Sequence, residues 1–140
     1  QHEAPQTTSR ERYRLIAVGK GRGVFKGSVR VAPGAVKSDA QQSCKSLLLA
    51  DGAEIDAKPE LEIYTDDVRC SHGATVGRLD RDARFYLLSR GLTPQEAETL
   101  LIFAFAEEVV EAIPLPEWRQ AITERLVSRL PDRAILEEQL

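Results

Sequence analysis

Between residues 13 and 77 the apolar residues come in short runs separated by glycine. Tyr13 to Val18 is the first run, and Gly19, Gly21 and Gly23 break it. Later runs around Val29, Leu47 and Val68 are similarly short, with no helical spacing between them. Short apolar runs bounded by turn residues predict strands. From Leu79 the period changes. Asp80 can cap a helix over residues 81–90 that stops at Gly91. Thr93-Pro94-Gln95-Glu96 is a capping box with proline at the first helical position, and the helix it opens is expected to reach about Ile113. Ala97, Leu101, Ala104, Phe105, Val109 and Ala112 recur at helical spacing and are expected to form its buried face. Pro114 and Pro116 end that helix and begin another, with Trp118, Ile122, Leu126 and Leu130 as its apolar stripe. Pro131 breaks the pattern again, and a last short helix is expected over 132–140.

The strand region contains a repeat. Val29 to Ala35, Leu47 to Ala53 and Val68 to Ala74 each read apolar, any, apolar or Cys, small, any, Gly, Ala. They start 18 residues apart (29 to 47) and then 21 apart (47 to 68). Repeats near this period indicate stacked solenoid coils. The reading stacks Val29, Leu47 and Val68, and likewise Val31, Leu49 and Cys70, coil upon coil. Val36, Ile55 and Val76 form a second side, and Leu61 and Ile63 face inward on a third. The expected fold is mixed β and α. A flexible segment occupies 1–11, coils of a truncated right-handed parallel β-helix occupy 12–78, and a small helical domain occupies 79–140.

Composition narrows the function. The 140 residues carry 19 Lys plus Arg against 22 Asp plus Glu, a net charge of −3. That balance gives no reason to expect nucleic acid as a partner. No apolar run reaches the length of a membrane span. Two cysteines without a disulfide framework fit a reducing compartment, so the cytoplasm is the expected location. Methionine is absent, and the chain reads as an excised C-terminal piece of a longer protein. The glycines of residues 19–23 do not have phosphate-loop spacing, so the chain lacks a nucleotide-binding loop of its own.

Cys70 and His72 are the candidate chemistry. Two apart on a strand, they point to one face, and a thiolate beside an imidazole is half a site for zinc, copper or an iron–sulfur cluster. A second chain or distant residues must supply the rest. The bland alternative is a structural cysteine and a surface histidine. In the repeat register Cys70 falls at a core position, and His72 falls with Pro33 and Asp51 at a corner.

The run from Lys58 to Gly77, KPELEIYTDDVRCSHGATVG, resembles the SufD family of the SUF iron–sulfur cluster assembly system. The resemblance extends to Gly23-Val-Phe-Lys-Gly27, Ser38-Asp-Ala-Gln-Gln42, Phe85-Tyr86-Leu87, Ser89-Arg-Gly91, Ala104-Phe-Ala106 and Ile113-Pro114. It implies the C-terminal portion of a non-catalytic scaffold subunit. That subunit pairs with a SufB-like scaffold through the β-helix, and recruits a SufC-like ATPase through helical residues 80–113. It also implies His72 as a ligand for iron or a cluster at the SufB interface, with Cys70 an assistant at most. Cys44 falls where SufB-like chains carry a cysteine thought to start assembly, and it is a further candidate or chance drift. Ser71-His72-Gly73-Ala74 departs from the Glu-His-Glu-Ala of SufB-like chains. No cofactor is expected on this piece by itself, and any cluster is transient in the full complex.

Two alternatives stand beside this reading. One is a SufB-like cluster scaffold. The other is a carbohydrate-active enzyme on a β-helix, with carboxylate pairs drawn from Asp51, Asp56, Asp66 and Asp67. A β-helix cut at residue 1 exposes open edges, so the piece is also expected to self-associate.

Overall fold

A computed structural model describes residues 1–137. The chain divides into two compact units, Gln1–Arg78 and Leu79–Leu140. The first holds five strands: β1 (Thr8–Ala17), β2 (Arg22–Val31), β3 (Asp39–Leu48), β4 (Glu54–Ile63) and β5 (Arg69–Gly77). The second holds α1 (Arg81–Ser89), α2 (Pro94–Val110), α3 (Pro116–Val127) and α4 (Ala134–Glu137). The fold is thus mixed β and α.

The strands form two parallel sheets. One has the order β1-β3-β5, and the other pairs β2 with β4. The chain therefore alternates between sheets, and each return to the same sheet takes one repeat. Thr8 pairs with Asp39, Arg22 with Glu54 and Asp39 with Arg69, so the repeat is 31, 32 and 30 residues by subtraction.

This register overturns the expected stacks. Val31 pairs with Ile63 and bridges His2, whereas Cys70 pairs with Ala40 on the other sheet. Leu49 lies past the end of β3, where its N–H donates to the Ala17 carbonyl at 2.9 Å. Val36 is in a turn, and Ile55 and Val76 are on different sheets. Leu61 and Ile63 lie in β4 beside Val29 and Val31, not on a third side. The spacing of 18 residues measured the step from one sheet to the other. Each repeat has two strands and two turns, and a Gly-Ala pair stands in one turn of each kind, while Gly73-Ala74 lies within β5. Gly34-Ala35 follows β2 and Gly52-Ala53 follows β3, with Ala35 and Ala53 buried in both.

The inner face of each sheet follows from strict alternation. On β3, Ala40, Gln42, Cys44 and Ser46 are all buried. On β2 the facing positions are the odd ones, ending in buried Val29 and Val31. Tyr13 meets Phe25 between the sheets with ring centroids 4.6 Å apart. Burying side chains of valine size contributes about 1.5–3 kcal/mol each.

The expectation of a flexible segment over residues 1–11 is also corrected. Thr8 to Glu11 belong to β1. His2 is buried, its N–H donates to Arg30 O at 2.8 Å, and its carbonyl accepts from Ala32 N at 2.9 Å. Its ring nitrogens lie 2.6 Å from Thr7 Oγ1 and 2.9 Å from Ser9 Oγ. Thr7 Oγ1 continues at 3.0 Å to the buried Ser38 hydroxyl. Polarity alone suggested mobility, but these groups find partners within the segment and along residues 30–38.

In the helical unit, local signals set the ends of the helices. Asp80 Oδ1 accepts from the backbone of Asp82 and Ala83. Gly91, at φ +95°, closes α1, with the N–H groups of Gly91 and Leu92 returned to Leu88 and Leu87. Thr93 and Glu96 form the capping box in both directions. The buried face of α2 differs from the expected one. Ala97, Thr99, Ile102, Phe103, Ala106 and Val110 are buried, and Ala104 is exposed. Leu100 to Phe105 in this helix are apolar or Ala without interruption, so periodicity could not choose a side. Phe103, Val127 and Leu136 form the core with Leu100, Leu126, Leu130 and Ile135 around them. Leu126 and Leu130 of the expected α3 stripe serve it, whereas Trp118 is 65% exposed. Residues 138–140 of the expected last helix lie outside the described residues.

Candidate metal-ligand site

The register settles how the candidate residues relate. Cys44, His72 and Cys70 all lie in the three-stranded sheet. Ala40 pairs with Cys70, Gln42 with His72 and Cys44 with Ala74. In-register residues of a parallel pair point to the same side. Cys70 and His72 therefore share the inner face with Gln42 and Cys44, and the expectation that the first two face one way holds. His72 is the fourth residue of β5, within the strand and not at a corner. Cys44 is the sixth residue of β3.

Exposure separates the three. Cys44 is fully buried, with Sγ 3.9 Å from Ser46 Oγ. Cys70 is half-buried, and His72 is exposed. β5 has β3 as its only neighbour among the described residues, so its far edge is unpaired and its inner face is open. Strand spacing and rise place His72 about 6.6 Å from Cys70 and about 8 Å from Cys44, measured between Cα atoms. The same geometry puts the two cysteines about 14 Å apart, beyond disulfide reach. Both thiols are free. Among the described residues no group of three or more His, Cys, Asp or Glu could hold a metal ion. The arrangement is thus an exposed imidazole with a thiol beside it on one strand.

The sequence reading passed over Gln42. This residue is 3% exposed and lies between Glu11 on β1 and His72 on β5, in register with both. Its Nε2 donates to Glu11 Oε2 at 2.8 Å, and its Oε1 is buried without a partner among the described residues. The available signal was a polar amide in an alternating run of small side chains, Ala40, Gln42, Cys44 and Ser46.

The outer face of the same sheet is basic. Arg10, Arg12, Arg14, Lys45 and Arg69 point outward by alternation, with Asp39 as the acid among them. Arg10 Nη2 meets Asp39 Oδ2 at 2.8 Å. A shallow trough of about 250 Å³ crosses the three strands, lined by Glu11, Arg12, Gln42, Ser43, Ser71 and His72 among others. On the second sheet the outer face carries both signs instead, basic residues on β2 and mainly acidic ones on β4. Lys58 Nζ lies 2.9 Å from Glu60 Oε1, and this pairing raises the Lys58 pKa and lowers that of Glu60.

The carboxylates proposed for an enzyme do not converge. Asp51 is in the turn after β3, 2.8 Å from Arg78 Nη1. Asp56 is on the outer face of β4, and Asp66 and Asp67 are in the turn before β5. Among the described residues no helix is long and apolar enough to cross a membrane.

The chain thus carries a unit of parallel strands, with an imidazole exposed on its edge strand, followed in sequence by a capped helical unit. Residues 1–105 match the family described as SUF system FeS cluster assembly, SufBD core domain, and the chain belongs to that family, with the SufD proteins of the SUF system. It is 46% identical over 134 residues to the iron-sulfur cluster assembly protein SufD of Escherichia coli, covering 96% of this chain and 32% of that protein. It is 43% identical over 111 residues to a SufBD family protein of Synechocystis, covering 79% of this chain and 24% of the relative. SufD of Bacillus subtilis is 39% identical over 105 residues, covering 75% and 23%. The chain thus spans about a quarter to a third of the length of these relatives.

Proposed function

We propose that this chain is part of a non-catalytic, SufD-like scaffold subunit for iron–sulfur cluster assembly, in which His72 is one ligand of a cluster or iron ion handled as cargo. The observation that carries the reading is His72 itself, exposed on an unpaired edge strand beside Cys70. Half a ligand set on an open edge suits completion by a second chain. Imidazole suits iron, and it raises the potential of a cluster relative to thiolate ligation alone. The alternating sheets are read as coils of a right-handed parallel β-helix, through which a SufB-like scaffold pairs. Residues 80–113 recruit a SufC-like ATPase. Phe85 and Tyr86, 72% and 56% exposed on α1, favour a partner there. ATP hydrolysis belongs to that partner. Cys44 is too buried to accept cargo without an opening of the sheets. The cytoplasm is the proposed location, and the open strand edge is the proposed cause of self-association of the chain alone.

The test is His72→Ala in the full-length protein, purified with its partners. Iron and sulfide in the assembled complex should fall severalfold. An unchanged yield removes the ligand role.

A further inference from the structure

Gln42 presents a buried polar group that packing has been shaped to admit. A Cβ at Gly27 would lie 2.7 Å from Gln42 Nε2 and 3.0 Å from its Cδ, so β2 omits a side chain where the amide sits. The amide is held at its nitrogen end by Glu11. A carboxylate only accepts, so this contact fixes which end of the amide is NH2. The oxygen end is buried and, among the described residues, accepts no hydrogen bond. Leaving such an oxygen unpaired costs about 1–3 kcal/mol. The residue in register on the side away from Glu11 is His72, whose ring can donate from either nitrogen.

We infer that Gln42 is a positioning residue for His72: its Oε1 accepts a ring N–H, and Glu11 holds the amide in the orientation that allows this. In the structure the His72 ring is exposed, so the contact forms by rotation of that side chain over the open inner face of β5. The hydrogen bonds then run in one direction across three strands, from His72 to Gln42 to Glu11. An imidazole tied at one nitrogen keeps the other nitrogen's lone pair free and aimed, as a metal ligand requires. The use of that lone pair rests on the function proposed above, whereas the hydrogen bond does not.

The test reads the tautomer of His72 directly, by nitrogen-15 NMR of the imidazole rings in the full-length protein, with His72→Ala identifying the signal. Gln42→Leu removes the acceptor at similar volume, and the tautomer ratio should change about fivefold, the equivalent of one net hydrogen bond. Glu11→Gln leaves the acceptor but frees the amide to flip, and a smaller change in the same direction is expected. An unchanged ratio in Gln42→Leu overturns the inference. If that variant does not fold, Glu11→Gln decides, and an unmoved ratio there overturns it equally. Cluster yield in His72→Ala is a separate readout. A pinned tautomer with unchanged yield would keep the positioning role and remove the ligand role.

Discussion

The two units of this chain bury different things. In the strand unit His2, Ser38, Gln42 and Ser46 are buried among small apolar residues. Thr7 reaches Ser38 and Glu11 reaches Gln42 across one repeat, while the His2 ring meets Thr7 and Ser9, and Ser46 meets Cys44, close by in sequence. The helical unit buries Thr99 as its polar residue among those described, and its centre is Phe103, Val127 and Leu136. The first interior is specified by hydrogen-bonded rows that tolerate one register. The second is specified by apolar volume, with caps setting where helices begin and end. A row of polar side chains in fixed register can aim a ligand, and an apolar bundle with exposed aromatics is suited to being gripped. The difference teaches where chemistry and where docking belong in this molecule.

The comparison predicts contrasting responses to substitution. Phe103→Ala empties the centre of the helical core and should cost about 3–5 kcal/mol, seen as lost amide-exchange protection in α2 and α3. Equal protection loss across β1 to β5 would show that the apolar bundle is not a separate source of stability. Gly27→Val strikes the other interior, since its Cβ would meet both Gln42 Nε2 and the Phe25 ring at 2.7 Å. Overpacking of this kind costs about 1–3 kcal/mol and should appear in the strands by denaturant unfolding. A variant as stable as the parent would mean that the amide has room to move and that the row is not fixed.

How much could be read in advance follows the same division. Asp80, Gly91, Thr93, Pro94 and Pro116 mark helix ends through groups within a few residues, so those ends were legible. The buried side of α2 was not, because Leu100 to Phe105 are apolar or Ala without interruption. In the strand unit, alternation and turn residues announced strands and stacking. The coil length was misjudged because both turns of a coil use similar residues, and nothing local distinguishes a half-coil step from a full one. Cys70 and His72 sharing a face needed only alternation. Gln42 beside His72 needed the 30-residue register, and the buried His2 needed the bridge to Val31, so neither was accessible from neighbours in sequence.

Smaller effects sharpen the helical side. Thr93→Ala removes the side-chain acceptor of the capping box and should cost about 1 kcal/mol, measured as a lower unfolding midpoint with loss of protection in the first turn of α2. Retention of the midpoint would mean that Pro94 and packing alone set this boundary.

The smallest expected effect is a change of sign with pH within α2. The Thr93 backbone N–H donates to Glu96 Oε2 at 2.7 Å, and this bond holds the Glu96 carboxyl below the usual carboxylate range. A carboxylate depressed on folding stabilises above its unfolded pKa, and that contribution is lost as pH falls through the folded value. Glu107 behaves oppositely. Burial, then the charge of Glu111, raises its pKa, so the folded chain takes up a proton first and stability rises as pH falls toward the ordinary carboxylate value of 4.5. Stability of the helical unit should therefore climb slightly on acidification from neutrality and turn down below that value. Glu107→Gln should flatten the climb. Glu96→Gln keeps a neutral acceptor for the cap, so it should flatten the fall and slightly lower stability near neutrality, where the charged form contributes. Urea midpoints followed by helix signal across that range check both arms. A fall that persists in Glu96→Gln would mean that the Thr93–Glu96 cap is not the source of the acid sensitivity.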